Sequence, residues 1–171
     1  MSLRLALVFI VAALLLSGFG ASFGRTLIEM PAWRYVGVQT WAEFSRAADL
    51  GNGKIIYPLE GIGGMLLTAA AAIAFRLSPN RPLMVAIPVY AAALMYVAVL
   101  LCTTQAAPIM LSLPRLGGDP VALRKAFDGF NRWGNVRAVF VALGYCADLW
   151  ALVALLRVSS GHSGKPSQAQ P

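Results

Sequence analysis

The segment at residues 138–156 reads AVFVALGYCADLWALVALL and lies between Arg137 and Arg157. Asp148 is its only charged residue. Its length is close to the ~20 residues that an α-helix needs to cross a hydrocarbon core of ~30 Å. Because a segment in lipid must satisfy its own backbone hydrogen bonds, we predict a transmembrane helix here.

Three further apolar segments of similar length precede it, at residues 5–24, 55–75 and 82–104. Only the second contains a charged residue, Glu60. The chain is 58% hydrophobic and 12% charged, whereas a soluble domain carries about a quarter charged residues. The sequence therefore predicts an all-α, four-helix transmembrane bundle over residues 1–157 and a disordered polar tail over residues 158–171.

The net charge of +7 is carried by basic residues that lie mostly between the apolar segments. At those positions they anchor helix ends and meet anionic lipid, so membrane lipid is the expected partner and nucleic acid is not. A plain count of basic residues places the two long loops inside, but the basic start of the first helix and the Arg76–Arg81 turn favour a cytoplasmic N-terminus. We expect a multi-pass protein of the bacterial inner (plasma) membrane, with a homodimer as an open alternative to a monomer.

Residues 1–24 also match a secretory signal peptide, with a basic start, an apolar run and small residues from Ser17 to Ser22. Cleavage would leave three spans. We favour an uncleaved helix, because the uncharged run continues to Arg25 and is long enough to span.

Both long loops carry an amphipathic pattern. In the first loop the apolar stripe is Trp33, Gly37, Trp41, Phe44 and Ala48, and the polar residues are Arg34, Glu43, Arg46 and Asp49. In the third loop the stripe is Leu123, Phe127 and Phe130, after Asp119-Pro120 and before a break at Trp133-Gly134. We predict interfacial amphipathic helices in the first and third loops. A lid over a bundle cavity is the alternative.

Glu60 and Asp148 are the best candidates for a functional site, because a carboxylate at bilayer depth is costly and usually faces a bundle interior. A rise of ~1.5 Å per residue places them roughly 8 Å and 16 Å below the same interface. Arg137 and Tyr145 share a helix face with Asp148. The polar residues are therefore expected to converge on a funnel that opens toward the two aromatic loops.

The candidate catalytic residues are Asp148, Glu60, Arg137 and Tyr145, and the candidate substrate-binding residues are Trp41, Trp133 and Gln105. Two structural alternatives stay open. Glu60 is also explained as a helix-start residue whose charge reaches the interface. Asp148 is also explained as a neutral, protonated acid that holds a tyrosine or backbone partner within the bundle, with Tyr90, Tyr96 and Tyr145 as the candidate tyrosines.

Metal and cofactor sites are not expected in this chain. Its only histidine, His162, lies in the polar tail, which argues against histidine-ligated haem, zinc and most iron sites. Cys102 and Cys146 do not form a CxxC pair, and we interpret them as small apolar residues.

Two segments resemble a known family. They are residues 47–53, AADLGNG, at the end of the first loop, and residues 130–137, FNRWGNVR, leading into the last helix. Together with the architecture, they resemble the anthrone-oxygenase-like domain-of-unknown-function family of small four-span membrane proteins, over most of the chain up to Arg157. A few fungal members are similar to enzymes that oxidise anthrones to anthraquinones. The resemblance implies the fold and suggests such a substrate class, but it assigns no catalytic position.

Three functions remain open from the sequence. The first is a membrane-structural or partner-binding bundle. The second is a cofactor-independent oxygenase of apolar phenolic substrates, in which Asp148 or Glu60 removes a proton and Arg137 or Tyr145 stabilises the oxyanion. The third is a proton-coupled transporter that uses both carboxylates.

Overall fold

The computed structural model describes residues 3–16 and 19–162, and these are almost entirely helical with no strand among them. The α-helices are α1 (Leu3–Leu16), α2 (Phe19–Phe23), α3 (Trp33–Val36), α4 (Val38–Ala48), α5 (Gly53–Arg76), α6 (Leu83–Leu111) and α7 (Pro120–His162). A π-helical segment (Gly24–Glu29) and a 3-10 turn (Met30–Ala32) join α2 to α3, and a second 3-10 turn (Leu113–Leu116) follows α6. The predicted all-α class is confirmed for this part of the chain.

Helices α5, α6 and α7 are each long and apolar enough to cross a membrane. With 29 and 43 residues, α6 and α7 measure roughly 44 Å and 65 Å, more than the ~30 Å hydrocarbon core. Large apolar side chains such as Leu94, Val139 and Trp150 are exposed on their outer faces, as lipid contact requires. The fold therefore has the character of an integral membrane protein.

The first helix, α1, is apolar but has only 14 residues. It packs against α5 and α7, and α6 packs against the same two helices. Their buried apolar side chains form what we call the terminal-side cluster, at the end of the bundle that holds the α5–α6 turn. Its members are Ala6, Ile10, Ala71, Ala74, Phe75, Val85, Val89, Ala151, Ala154 and Leu155.

A second apolar cluster, the loop-side cluster, lies at the opposite end. It comprises Met30, Trp33, Trp41, Ala42, Met110, Leu113, Leu123, Ala126 and Phe127. The Trp33 and Phe127 rings lie 6.1 Å apart between centroids. The segments of the two long loops therefore pack against each other and against the adjoining end of α6.

The predicted break at Trp133-Gly134 is wrong. Helix α7 continues through both residues, so the amphipathic segment of the third loop and the last apolar segment form one helix. A glycine inside a helix costs only ~1 kcal/mol relative to alanine. Burial of Phe127 in one cluster and Leu155 in the other outweighs that cost. The helix also extends past Arg157 to His162, and residues 163–171 of the predicted tail lie outside the described residues.

The helix of the first loop is present as α4, but its inward face differs from the predicted one. Gly37, with φ of 89°, adopts a backbone conformation that favours glycine and separates α3 from α4. Trp41 and Ser45 are buried, whereas Phe44 is 47% exposed. Asp49, which was assigned to the polar face, is buried. The periodicity predicted the helix correctly, and contacts with the rest of the molecule decide which face is covered.

The short connection between α5 and α6 forms a helical hairpin. It occupies residues 77–82, and the two helices pack against each other. Pro82 directly precedes α6, where its missing N–H removes no hydrogen bond of the helix.

Candidate functional site

A cavity of about 510 Å³ lies between α5, α6 and α7 at the loop-side end of the bundle. Its wall is mainly apolar, with polar positions at Ser22, Arg25, Asp49, Lys54, Tyr57, Glu60, Tyr96, Thr103 and Arg137. Cavities of roughly 300–1,000 Å³ with a few polar groups in an apolar wall are typical of small-molecule sites. The cavity lies at the end of the helices where the sequence predicted a funnel.

Glu60 on α5 and Arg137 on α7 both line this cavity. Each is half-buried. Among the described residues, Glu60 makes no hydrogen bond or ion pair. Arg137 likewise makes no ion pair with a carboxylate in the described part of the chain. One space is thus lined by an unpaired carboxylate and an unpaired guanidinium.

Asp148 lies deeper in the bundle and does not line the cavity. Its exposure is 0%, and it faces the buried side chains of Thr68 on α5 and Tyr96 on α6. Both Asp148 carboxylate oxygens, Thr68 Oγ1 and the Tyr96 hydroxyl are buried without a hydrogen-bond partner in the described part of the chain. Because Tyr96 also lines the cavity, its side chain connects the cavity to Asp148.

Gly144 accounts for the position of Tyr96. A Cβ at Gly144 would lie 3.4 Å from Met95 Cβ and 3.4 Å from Tyr96 Cε2. The missing side chain lets α6 approach α7 closely, as small residues do between membrane helices. Gly144 lies one turn before Asp148 on the same face of α7, so this close approach brings the Tyr96 ring next to the acid.

The remaining predicted site residues are not among the residues that line the cavity. Tyr145 stacks on Phe19, with ring centroids 4.6 Å apart and planes inclined by 10°. Trp41 is buried in the loop-side cluster. Gln105 is exposed on α6, and Trp133 is half-buried on α7. The structure therefore brings Glu60 and Arg137 to the cavity and leaves these four side chains away from it.

A buried ion pair that the sequence did not reveal forms part of the cavity wall. Arg25 pairs with Asp49, and it also donates to Glu29 at 2.9 Å. Its guanidinium lies 5.6 Å from the centroid of the Trp41 ring. Tyr57 donates to Asp49 Oδ1 at 3.3 Å. Arg25 directly follows the uncharged first segment, so its need for a nearby counter-ion was the signal that could have predicted this pair.

A glycine-rich corner between α4 and α5 places Asp49 and Tyr57 in this network. A Cβ at Gly51 would lie 2.1 Å from the carbonyl oxygen of Ala47. A Cβ at Gly53 would lie 2.8 Å from Tyr57 Cε2. Both distances are shorter than real side chains tolerate, so the tight corner requires glycine at both positions.

The described residues hold no group of three or more His, Cys, Asp or Glu side chains that could bind a metal ion. Both cysteines are free thiols, with Cys102 buried and Cys146 exposed. The polar groups that line the cavity are carboxylates, guanidinium groups, phenols, the Lys54 ammonium and the hydroxyls of Ser22 and Thr103.

Comparison with known proteins gives no match: no family model, curated protein or solved structure is similar to this chain. The family resemblance of residues 47–53 and 130–137 therefore stays a prediction. The structure nevertheless relates the two segments to each other. Asp49 and Gly53 line the cavity from one side, and Phe130 and Arg137 line it from another.

Proposed function

We propose that the protein is an enzyme of the bacterial inner membrane that oxidises a small, mainly apolar phenolic molecule with O2, without a cofactor. The main support for this proposal is that one apolar cavity is lined by both an unpaired carboxylate, Glu60, and an unpaired cation, Arg137. A base and an oxyanion-stabilising group are what abstraction of a proton next to a carbonyl or phenol needs. The membrane is the expected source of such an apolar substrate.

In this proposal Glu60 removes a proton from an acidic CH2 group, and Arg137 stabilises the negative charge that develops on the adjoining oxygen. The carbanion adds O2 to give a peroxide anion, which takes the proton back from Glu60. The hydroperoxide then loses water to leave a ketone. The net change is CH2 plus O2 to C=O plus H2O, in which carbon loses four electrons and oxygen gains four.

Asp148 has a different place in this scheme. It does not line the cavity, so in this scheme it acts through Tyr96, whose buried side chain faces it and also lines the cavity. Thr68 faces Asp148 from α5. We therefore assign Asp148 as a positioning residue and Glu60 as the base.

We further propose the four-span topology, with α1 and α2 as the first, uncleaved span, and with α4 and the start of α7 at the loop-side interface. Leu3 packs on the terminal-side cluster, whereas Arg25 lines the loop-side cavity, so the chain passes from one end of the bundle to the other between them.

Membership of the anthrone-oxygenase-like family is part of the same proposal. It is supported by the position of the two segments that carry the resemblance, because both contribute to the cavity wall. Transport is less well supported. Beyond Asp148, toward the terminal side, α7 contributes Ala151, Ala154 and Leu155 to an apolar cluster, which offers no polar path in the described part of the bundle.

The test is oxygen uptake by the purified protein in lipid nanodiscs, with anthrone and related polycyclic phenols that carry an acidic CH2 group. We expect one O2 consumed per ketone formed, as identified by mass spectrometry. Glu60→Gln and Arg137→Gln should each lower kcat by about 100-fold. Glu43→Gln, an exposed carboxylate on α4 outside the cavity, should leave kcat unchanged.

Two results would contradict the proposal. Absence of oxygen uptake with every compound of the panel would contradict the proposed oxygenase activity. Full activity in both Glu60→Gln and Arg137→Gln would show that the reaction does not take place in this cavity.

A further inference from the structure

The two arginines that line the cavity differ in their partners. Arg25 is paired with Asp49 and Glu29, so its charge is compensated within the protein. Arg137 forms no ion pair with a carboxylate among the described residues, and the like-charged Arg25 lines the same cavity. Lys54 also lines the cavity, but it is exposed, so Arg137 is the partly buried cation of the cavity that has no counter-ion in the described part of the chain.

A guanidinium withdrawn from water is costly unless a negative charge lies close to it. The surroundings of Arg137 supply little solvation, because Met110, Phe130 and Val141 line the same cavity. Glu60 shares the cavity but forms no ion pair with Arg137. The missing counter-ion is therefore expected to come from a bound molecule.

We propose that the cavity binds its ligand as an anion, with one ionised oxygen group on Arg137 and the apolar body of the ligand against the surrounding wall. A carboxylate, a phenolate and a phosphate share this chemistry. This inference depends on the proposed function only because both place the ligand in this cavity. Beyond the proposed function, it specifies that the ligand is negatively charged and that Arg137 selects it. The anion comes either from a free aromatic acid or from an anionic lipid headgroup.

Arg25 does not compete for this role. Asp49 is buried beside it, and a second anion at Arg25 would be repelled by that carboxylate. Tyr57 donates its hydroxyl to Asp49 and so reinforces the existing pair. The ligand's charge therefore lies on the α7 side of the cavity.

The test compares two probes of nearly equal size, 2-naphthoate and the uncharged 2-naphthalenemethanol, by equilibrium binding to the protein in phosphatidylcholine nanodiscs. Hydrogen bonds to charged groups favour 2-naphthoate by at least about tenfold. Arg137→Gln should abolish this preference, and Arg137→Lys should retain most of it. Arg132→Gln, an exposed arginine on the same helix, should retain it fully.

Equal affinity for both probes in the wild-type protein overturns the inference but leaves an apolar binding cavity, and hence the proposed function, in place. A preference that persists in Arg137→Gln, or is lost in Arg137→Lys although that variant folds, also overturns it. If neither probe binds, both the inference and the proposed cavity function fail. Failed oxygen uptake, by contrast, does not affect this binding test.

Nanodiscs that contain phosphatidylglycerol distinguish the two sources of the anion. Displacement of 2-naphthoate by this lipid in the wild-type protein and in Arg132→Gln supports the inference with a lipid headgroup as the ligand. If phosphatidylglycerol leaves the binding of 2-naphthoate unchanged, the result supports the inference with a free aromatic acid as the ligand.

Discussion

The two intramembrane carboxylates have different surroundings, and the difference determines what each can do. Glu60 is half-buried and lines the cavity, whereas Asp148 is fully buried behind Tyr96. A general base must come within hydrogen-bonding reach of the proton that it removes. Glu60 is therefore placed to contact a molecule in the cavity directly, whereas in the proposed reaction Asp148 acts only through Tyr96.

This difference predicts an order of effects on the proposed reaction. Glu60→Gln should lower kcat by about 100-fold, because it removes the base itself. Asp148→Asn should lower kcat by less than about tenfold, because it alters only the placement of Tyr96. Single-turnover oxygen uptake in nanodiscs measures both values.

The same assay separates a positioning role of Asp148 from an independent one. Tyr96→Phe should reproduce the loss seen in Asp148→Asn, and the double variant should lose no more than either single variant, since the two residues act as one unit. A larger loss in Asp148→Asn than in Glu60→Gln would show that the assignment of base and positioning residue is reversed.

The buried ion pair between Arg25 and Asp49 gives a prediction about stability. The two side chains are 8% and 3% exposed, whereas the Glu29 side chain is 49% exposed. Asp49→Asn should destabilise the protein by about 3–5 kcal/mol, because it leaves a buried cation without its main partner. Glu29→Gln should cost no more than about 1 kcal/mol, since exposed pairs contribute little.

Unfolding in a mild detergent, followed by near-ultraviolet circular dichroism, compares the two variants directly. Equal stability of Asp49→Asn and Glu29→Gln would mean that the Arg25–Asp49 pair does not hold the cavity wall together.

A functional residue can be predicted from the sequence when its chemical type is unusual for its segment, whatever residues surround it in the fold. Glu60 and Arg137 stand out because a charge in or beside an apolar run is visible in any fold. Tyr145 shares a helix face with Asp148 by spacing, but spacing does not give the rotation of α7 relative to α6. The tyrosine that faces the acid is Tyr96, which comes from another helix. The periodic pattern of one helix does not predict which side chains of another helix it contacts.

At the scale of elements, the corner between α4 and α5 and the continuity of α7 show how packing selects among local preferences. The sequence predicted a helix in each long loop, and both are present. The sequence analysis was wrong about where the helix of the third loop ends, because Trp133-Gly134 resembles a helix stop signal. The hydrophobic pattern does not show that Phe127 and Leu155 are buried in the two apolar clusters, one on each side of this position in α7. Glycine acts differently at the corner, where close approach of the backbone requires it.

Two glycine variants test this contrast. Gly51→Ala brings a Cβ onto the carbonyl oxygen of Ala47, so the corner must shift, and we expect a loss of about 2 kcal/mol. Gly134→Ala meets no atom within 4 Å of the new Cβ and should stabilise α7 by about 0.5–1 kcal/mol. Thermal unfolding of both variants in the same detergent gives the comparison. A gain in stability from Gly51→Ala would show that the α4–α5 corner is looser than the structure has it.

At the scale of the whole molecule, the two apolar clusters divide the bundle into a closed end and an end that contains the cavity. The terminal-side cluster fills the space between α1, α5, α6 and α7. The loop-side cluster instead joins the two connecting segments above the cavity. Hydropathy predicts the membrane character of such a chain well, because spanning length and apolar content are local properties. It does not predict the cavity, because the lining residues come from several helices and from the first loop.

The number of spans determines which segments of the chain lie on the same side of the membrane. In the four-span arrangement the N-terminus and the α5–α6 turn lie on one side, and the segment before α7 lies on the other. In a three-span arrangement of α5, α6 and α7 alone, the N-terminus lies on the same side as the segment before α7. The side of the N-terminus therefore distinguishes the two arrangements.

Single cysteines at Ser2, Asn80 and Gly118, in a background with Cys102→Ala and Cys146→Ala, can be labelled with a membrane-impermeant maleimide in sealed right-side-out vesicles. We expect positions 2 and 80 to behave alike and position 118 to behave oppositely. Labelling after detergent lysis controls for sites that are blocked rather than inaccessible. If positions 2 and 118 behave alike instead, α1 does not cross the bilayer. The packing of Ala6 and Ile10 against the terminal-side cluster would then not persist in the membrane.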